Sequence, residues 1–231
     1  MWDNFGQQLF ANIIQNDRWK LYLQGLGVTL EVTLGAAVLG IILGALVAIT
    51  KVYAAHNRRL KPLDVLCDVY ITVIRGTPMM VQLLIFSFVI FASLSFDYGI
   101  YVAILSFGIN SGAYVAEIMR AGIQAVGAGQ TEAGRSLGLT NSMTMRYIIL
   151  PQAIRNILPA LVNEAISLLK ETAIVGYIAM GDVTYMATMV RSRTYSPVPL
   201  LLTALIYLAI VMVMTWGMRK LERRLRQGDH R

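Results

Sequence analysis

Residues 131–151, TEAGRSLGLTNSMTMRYIILP, form a polar segment inside a chain that is otherwise strongly apolar. The 231 residues are 56% hydrophobic and only 14% charged, whereas a soluble domain carries about 25% charged residues. Long runs of leucine, isoleucine, valine and alanine lie on both sides of the segment. The composition therefore predicts an integral membrane protein in which residues 127–147 are a polar cytoplasmic loop between two spans.

The apolar runs predict an all-α polytopic membrane protein with five transmembrane helices in a single domain, residues 1–231. A helix needs roughly 20 apolar residues to cross a bilayer. The predicted spans are residues 21–50, 63–94, 100–126, 148–179 and 200–216. Residues 1–20 place Phe5, Leu9, Ile13 and Ile14 at roughly helical spacing, which predicts a helix on the membrane surface. A frayed terminus is the alternative.

Lysines and arginines lie beside the predicted spans, so the net charge of +7 indicates membrane topology rather than nucleic-acid binding. Short loops rich in these residues stay in the cytoplasm. Such clusters follow the first and the fifth span: Lys51, Arg58, Arg59, Lys61 and Arg219, Lys220, Arg223, Arg224, Arg226, Arg231. We therefore expect the N-terminus outside and the C-terminus in the cytoplasm. Arg191 and Arg193, in a polar outer stretch before the fifth span, are the exception to this rule.

The second predicted span is interrupted at Arg75-Gly76-Thr77-Pro78. Proline lacks a backbone donor and disfavours helical geometry in the residue before it. Non-helical backbone at bilayer depth is tolerated where it lines a cavity. Arg75, Thr77 and Gln82 are therefore predicted to line a substrate-binding site. The alternative is a structural kink in which Arg75 pairs with an acid.

The fourth predicted span has a wide polar face, because Asn163 and Ser167 are four residues apart and Glu164 and Ser167 three apart. Such a face points into the protein or a transport pathway rather than into lipid. We expect Glu164, with Asn163 and Ser167, to bind substrate, the carboxylate neutralising an ammonium group. An ion pair of Glu164 with Lys170 or with another helix is the alternative.

The polar segment has a long, specific spacing: Glu132-Ala133-Gly134, then Gly138, then Ile148, and finally Leu150-Pro151. The hydroxyl of Thr131 is predicted to cap a short helix, and Gly138 to adopt a left-handed conformation. Small side chains at 133 and 134 would let that helix sit deep in a partner's cleft. The spacing resembles the EAA loop of importer-type ABC permeases, which has a second alanine in place of Gly134.

Three further segments extend the resemblance over nearly the whole chain, to permeases of the polar amino acid uptake family, which includes histidine-, glutamine- and arginine-type importers. These segments are residues 74–82, IRGTPMMVQ; 112–123, GAYVAEIMRAGI; and 148–174, IILPQAIRNILPALVNEAISLLKETAI. The resemblance implies a type I ABC importer permease fold in the bacterial cytoplasmic (inner) membrane. Glu132, Ala133, Gly134 and Gly138 would then couple to the ATPase.

The same resemblance implies several partners: a dimer of cytoplasmic ATP-binding subunits that hold ATP and magnesium, a second copy or a related permease, and an extracytoplasmic amino-acid-binding protein. The chain itself has no GxxxxGK[ST] phosphate loop, so it is not expected to hydrolyse ATP. It has one cysteine, Cys67, and no Cys or His cluster, so no metal site is expected. The alternative function is an ion-coupled secondary amino acid transporter, a class that often shows internal repeats. None is evident here.

Overall fold

A computed structural model describes residues 5–54 and 57–226, in which every regular element is a helix. The α-helices are α1 Phe5–Leu9, α2 Trp19–Ala54, α3 Lys61–Gly76, α4 Met79–Ile85, α5 Gly99–Gln124, α6 Ala128–Ser136, α7 Asn141–Thr144, α8 Leu150–Glu171, α9 Val183–Thr194 and α10 Val198–Arg226. Short π-helical segments follow three of them: Phe10–Ile14, Phe86–Ile90 and Met145–Ile149. Short 3-10 segments are Gln15–Asp17, Arg58–Leu60, Phe96–Tyr98 and Thr172–Ile178. The predicted all-α class is confirmed.

Three of the described helices are long and apolar enough to cross a membrane: Trp19–Ala54, Phe96–Gln124 and Val198–Leu225. Two further candidates are pairs bent at a short break. Lys61–Gly76 meets Met79–Ile90 at 106°, and Asn141–Ile178 meets Val183–Thr194 at 52°. Counting each bent pair as one span gives up to five spans within the described residues. The break between Lys61–Gly76 and Met79–Ile90 lies at Thr77-Pro78, where the sequence predicts an interruption of the second span.

The polar stretch expected on the outer side before the fifth span contains helix α9. Its first turn is capped by the Asp182 carboxylate, which accepts hydrogen bonds from the backbone N–H groups of Thr184 and Tyr185, both at 3.0 Å. Val183, Ala187 and Val190, at helical spacing, are buried. A capped helix with one apolar stripe is stable here although its exposed face is polar.

The N-terminal segment and the last helix also differ in extent from the expectations. Residues 5–14 are helical, and residues 1–4 of the predicted surface helix lie outside the described part. Helix α10 continues to Arg226 instead of ending at Trp216. Hydropathy falls after Trp216, but the arginines, lysine and leucines that follow are good helix formers.

Contacts divide the chain into two compact units. The first contains the chain up to Leu39, Thr77–Gly108 and Ile166–Met214. Its core is built around Phe107, Leu83 and Leu168, all at most 1% exposed. With Val32 of α2, apolar side chains from four helices thus contribute to this core.

The second unit contains Gly40–Gly76, Ile109–Ala165 and the chain from Thr215 onward. In this unit α2 and α5 approach closely through glycine. A Cβ added at Gly44 would lie 2.5 Å from Cγ1 of Val115, and one added at Gly40 would lie 2.9 Å from Oγ of Ser111. Gly40 and Gly44 therefore allow close packing between the first span and α5.

Candidate functional site

Helix α6 carries three of the predicted coupling residues, and they differ in exposure. Glu132 and Ala133 are exposed, whereas Gly134 is buried. The helix begins at Ala128 with Gly127 as its N-cap, so it starts earlier than predicted and Thr131 does not cap it. The carbonyl of Gly127 accepts the backbone N–H of Gln130 at 3.0 Å, which closes the first turn without a side-chain cap.

Gly134 faces the following helical segment of the same chain. A Cβ at this position would lie 2.8 Å from Cγ2 of Thr144 and 3.0 Å from Cδ1 of Ile148. The absence of a side chain therefore lets α6 pack directly on residues 144–148. Of the two small residues expected to enter a partner's cleft, Ala133 is exposed and Gly134 is covered by the chain itself.

Gly138 ends α6 in the left-handed conformation, with φ +80°. The N–H of Leu139 donates to the carbonyl of Gly134 at 3.1 Å, and the N–H of Gly138 donates to that of Arg135 at 2.9 Å. These are the two hydrogen bonds of a Schellman motif, with glycine at its left-handed position. The expected left-handed turn at Gly138 is confirmed.

Large apolar side chains are exposed along this otherwise polar segment. Leu137, directly before the turn, is 79% exposed, and Tyr147 is 63% exposed. Thr140 caps the next helix, α7, by accepting the backbone N–H of Met143 at 3.3 Å. Two short helices joined by a fixed turn thus leave the side chains of Glu132, Ala133 and Leu137 exposed on the surface of the segment.

The break in the second span is closed by a side chain. The Nε2 of Gln82 donates to the backbone carbonyl of Thr77 at 3.1 Å and to its Oγ1 at 2.7 Å. Pro78, in extended geometry, is the N-cap of α4, and Gln82 is only 6% exposed. The buried amide therefore satisfies polar groups that the missing helical turn leaves at Thr77.

Arg75, at the end of α3, lies against α5. A guanidinium nitrogen is 3.5 Å from the Glu117 carboxylate, and the guanidinium carbon is 5.1 Å from the centre of the Tyr114 ring. Glu117 also binds Arg120 through hydrogen bonds of 3.0 and 2.6 Å. Arg75 is thus paired with an acid, although its side chain remains 42% exposed.

Glu164 lies on α8 and meets α5. The hydroxyl of Ser111, itself 1% exposed, donates to Glu164 Oε1 at 3.0 Å. Glu164 is half-buried, while its neighbour Asn163 is exposed. The carboxylate is therefore positioned by a helix-to-helix hydrogen bond.

Comparison with known proteins places the chain in a family. The family model described as "Binding-protein-dependent transport system inner membrane component" matches residues 39–227. The chain belongs to this family. It is accordingly the membrane subunit of a transport system of the bacterial inner membrane, not a catalytic subunit.

Individual relatives cover almost the whole permease. It is 39% identical over 209 residues to the arginine transport system permease protein ArtQ of Bacillus subtilis (strain 168), spanning 90% of this chain and 93% of that one. It is 38% identical over 205 residues to a putative glutamine transport system permease protein GlnP of Rickettsia typhi (strain ATCC VR-144 / Wilmington), spanning 88% and 92%. A crystal structure of an amino acid ABC transporter with histidines matches with a TM-score of 0.85 and 40% identity, covering 97% of this chain and 100% of that one.

The predicted substrate residues of this permease are divided between the two units. Thr77, Gln82 and Ser167 belong to the first, and Arg75, Asn163 and Glu164 to the second. The structure brings Thr77 and Gln82 together, and it joins Arg75 and Glu164 to separate partners on α5. Their contact with substrate stays a prediction.

Besides Glu117, the acid paired with Arg75, sequence reasoning missed Ser111 and Tyr114 in this region. They hold Glu164 and Arg75, respectively. Their signal is present in the sequence Ser111-Gly-Ala-Tyr114, where two hydroxyl-bearing residues three apart interrupt an apolar span beside a glycine.

A polar cleft of about 370 Å³ lies beside the first turn of α6. It is lined by Ala125, Val126, Gly127, Gly129, Gln130, Gln152, Arg155 and Asn156. Gln152 is anchored there by donating to the carbonyl of Ile148 at 2.8 Å. Within residues 5–54 and 57–226, no group of three or more metal-ligating side chains occurs.

Proposed function

We propose that this chain is the permease subunit of an ATP-driven importer that carries a polar amino acid across the bacterial cytoplasmic membrane. The relatives named for arginine and glutamine transport support this substrate class, because each spans nearly the whole chain. The neighbouring structure, an amino acid ABC transporter with histidines, supports the same assembly type.

The observation that carries the proposal is the exposed edge of α6. The Schellman turn at Gly138 and the packing of Gly134 on Thr144 fix this helix against its own chain. Glu132, Ala133 and Leu137 remain exposed. A rigid helix with a small residue and a large apolar one on its outer face suits a groove in a partner that drives the transporter.

ATP and magnesium then bind to a separate dimer of cytoplasmic ATP-binding subunits, since this chain has no phosphate-binding loop. The permease pairs with a second copy of itself or with a related permease. The basic end of α10, with Arg219 and Arg223, faces the cytoplasm and the N-terminus faces outward. An amino-acid-binding protein delivers substrate to that outer side.

Within the permease, Glu164 with Asn163 and Ser167, and the broken segment with Arg75, Thr77 and Gln82, contact the substrate. The Glu164 carboxylate is held by Ser111 and can oppose an ammonium group. A fixed charge at a half-buried position favours a cationic part of the ligand over an anionic one.

Uptake by reconstituted vesicles tests the proposal. The permease, an ATP-binding subunit and an amino-acid-binding protein are assembled with ATP inside, and radiolabelled arginine, glutamine and histidine are supplied outside. We expect uptake of at least one of them that requires both ATP and the binding protein. Uptake driven by a proton or sodium gradient through the permease alone would instead identify the secondary transporter.

A further inference from the structure

Tyr195, at the end of α9, combines high exposure with an unusual backbone. Its side chain is 94% exposed, and its φ of +51° lies in the left-handed region. The N–H of Tyr195 closes the helix by donating to the carbonyl of Arg191 at 2.8 Å. Glycine is the usual residue at such a helix end, and a bulky residue there is strained. A large aromatic side chain is therefore held outward at a conformational cost.

Both neighbours of Tyr195 are tied to the N-terminal segment. The hydroxyl of Thr194 donates to Oδ1 of Asn12 at 2.8 Å, and the hydroxyl of Ser196 donates to Oε1 of Gln8 at 3.2 Å. Asn12 is only 1% exposed. Two anchors, one on each side, therefore fix the position of Tyr195.

Two arginines share this end of α9. Arg191 and Arg193 are exposed, and neither forms a salt bridge with the residues that the structure describes. Asp17, the acid among residues 5–20 of the N-terminal segment, is bound to Lys20 at 2.6 Å, and this hydrogen bond lowers the pKa of its carboxyl. Arginines on the outer side run against the charge bias of membrane proteins. They therefore need a reason other than topology.

We propose that Arg191, Arg193 and Tyr195 form a docking surface for an acidic lobe of the extracytoplasmic binding protein. The surface has this role only if the chain is the importer permease proposed above, with α9 outside. Arginine and tyrosine are the residue types enriched where proteins contact each other. Two exposed cations select a partner surface that carries carboxylates.

The anchored backbone favours a protein over lipid headgroups as the occupant. Lipid headgroups can contact a side chain in many positions, so a fixed side chain adds little to their binding affinity. A folded partner gains affinity when the side chain it contacts is already held in place. The left-handed backbone of Tyr195 and the two hydrogen bonds beside it thus hold the side chain in place for binding by a folded partner.

The test measures ATP hydrolysis by the permease–ATPase complex in phosphatidylcholine nanodiscs, titrated with the amino-acid-binding protein that supports uptake in the vesicle assay. For Arg191→Gln/Arg193→Gln, we expect the half-saturating concentration of binding protein to rise at least about fivefold. For Tyr195→Gly, which relieves the left-handed strain and so should fold, we expect a similar rise. Hydrolysis without binding protein should be unchanged in both.

Arg223→Gln/Arg224→Gln is the matched control, since it removes two exposed arginines from the opposite end of the last helix. It should leave the half-saturating concentration unchanged. A normal titration for both α9 variants overturns the docking surface. An effect that appears only in nanodiscs containing phosphatidylglycerol, with the titration unaltered in phosphatidylcholine, assigns the arginines to lipid and also overturns it. Failure of the proposed function is distinct, because then no binding protein stimulates the unmodified complex.

Discussion

The hydroxyl of Ser111 donates a hydrogen bond to the Glu164 carboxylate, and a substitution at Glu164 separates a structural role from a functional one. If Glu164 only joined α8 to α5, its charge would not matter, since a glutamine amide oxygen also accepts the Ser111 hydrogen bond. If Glu164 opposes an ammonium group, the charge is essential. The two roles therefore predict different results for one conservative substitution.

Glu164→Gln should lower transport at least about tenfold, equivalent to 1.4 kcal/mol, because a buried charge pair loses one partner. The measurement is ATP-driven uptake in vesicles over a range of substrate concentrations, with equal protein levels. Glu171→Gln is the control. It removes an exposed acid seven residues further along α8 and should behave like the unmodified chain. Unchanged kinetics for Glu164→Gln would leave Arg75, Thr77 and Gln82 as the remaining substrate-site candidates.

Gln82→Met should destabilise the break in the second span by about 1–3 kcal/mol, because it removes both hydrogen bonds that a buried amide donates to Thr77. The thermal unfolding midpoint of the purified complex in detergent measures the effect. Thr77→Val, which removes only the hydroxyl acceptor, should lower the midpoint less. Equal midpoints for Gln82→Met and the unmodified chain would show that the amide does not hold the break.

Helix breaks and helix ends are predictable where a residue at the position itself causes them. Pro78 marks the break between α3 and α4, and Gly138 marks the end of α6. Helix α9 was not predicted, although the Asp182 cap and the apolar stripe are local signals; its contact with Gly25 of α2, where an added Cβ would lie 2.8 Å from Asp182 and Val183, is distant in the sequence. Likewise, nothing in the sequence beside Arg75 identifies Glu117 as its acid.

Gly138→Val should abolish most uptake while membrane insertion persists. A β-branched residue at φ +80° costs about 1–3 kcal/mol, enough to distort the turn that orients the exposed face of α6. Vesicle uptake and co-purification of the ATP-binding subunit are the measurements. Gly129→Val is the matched control, because Gly129 lies in α6 with open space around it and ordinary φ.

Glu132→Lys tests the same helix from its exposed side and should weaken co-purification of the ATP-binding subunit. If Gly138→Val and Glu132→Lys both retain normal assembly and uptake, α6 does not transmit motion from the ATPase.

At the scale of the whole chain, composition alone predicts an all-helical membrane protein, and charge predicts its orientation. The number of helical regions agrees with up to five spans in the described residues. The division into two compact units was not predictable, because it depends on which buried side chains share a core, as Phe107 and Leu83 do in the first unit. The surroundings of helix α10 are likewise not predictable from the sequence. Only 17% of its most apolar stretch is buried within the chain.

Cysteine labelling should establish the orientation. In a Cys67→Ser background, Ser192→Cys should react with a membrane-impermeant maleimide in intact cells, and Arg223→Cys should react only after permeabilisation. Both positions are exposed, so accessibility to the reagent depends on the side of the membrane. The reverse pattern would contradict the N-out, C-in topology and, with it, the outward location of α9.

The bend at Thr77-Pro78 has a consequence for how the chain enters the membrane during synthesis. Helix α3 has 16 residues, among them Lys61, Asp64, Asp68 and Arg75, and Met79–Ile90 has 12. Neither piece alone reaches the roughly 20 apolar residues that a translocon accepts as a span. The two helices must therefore leave the translocon together, after Ile90 has been synthesised. By then α2, with 36 residues, is already inserted and is the first surface on which they can pack.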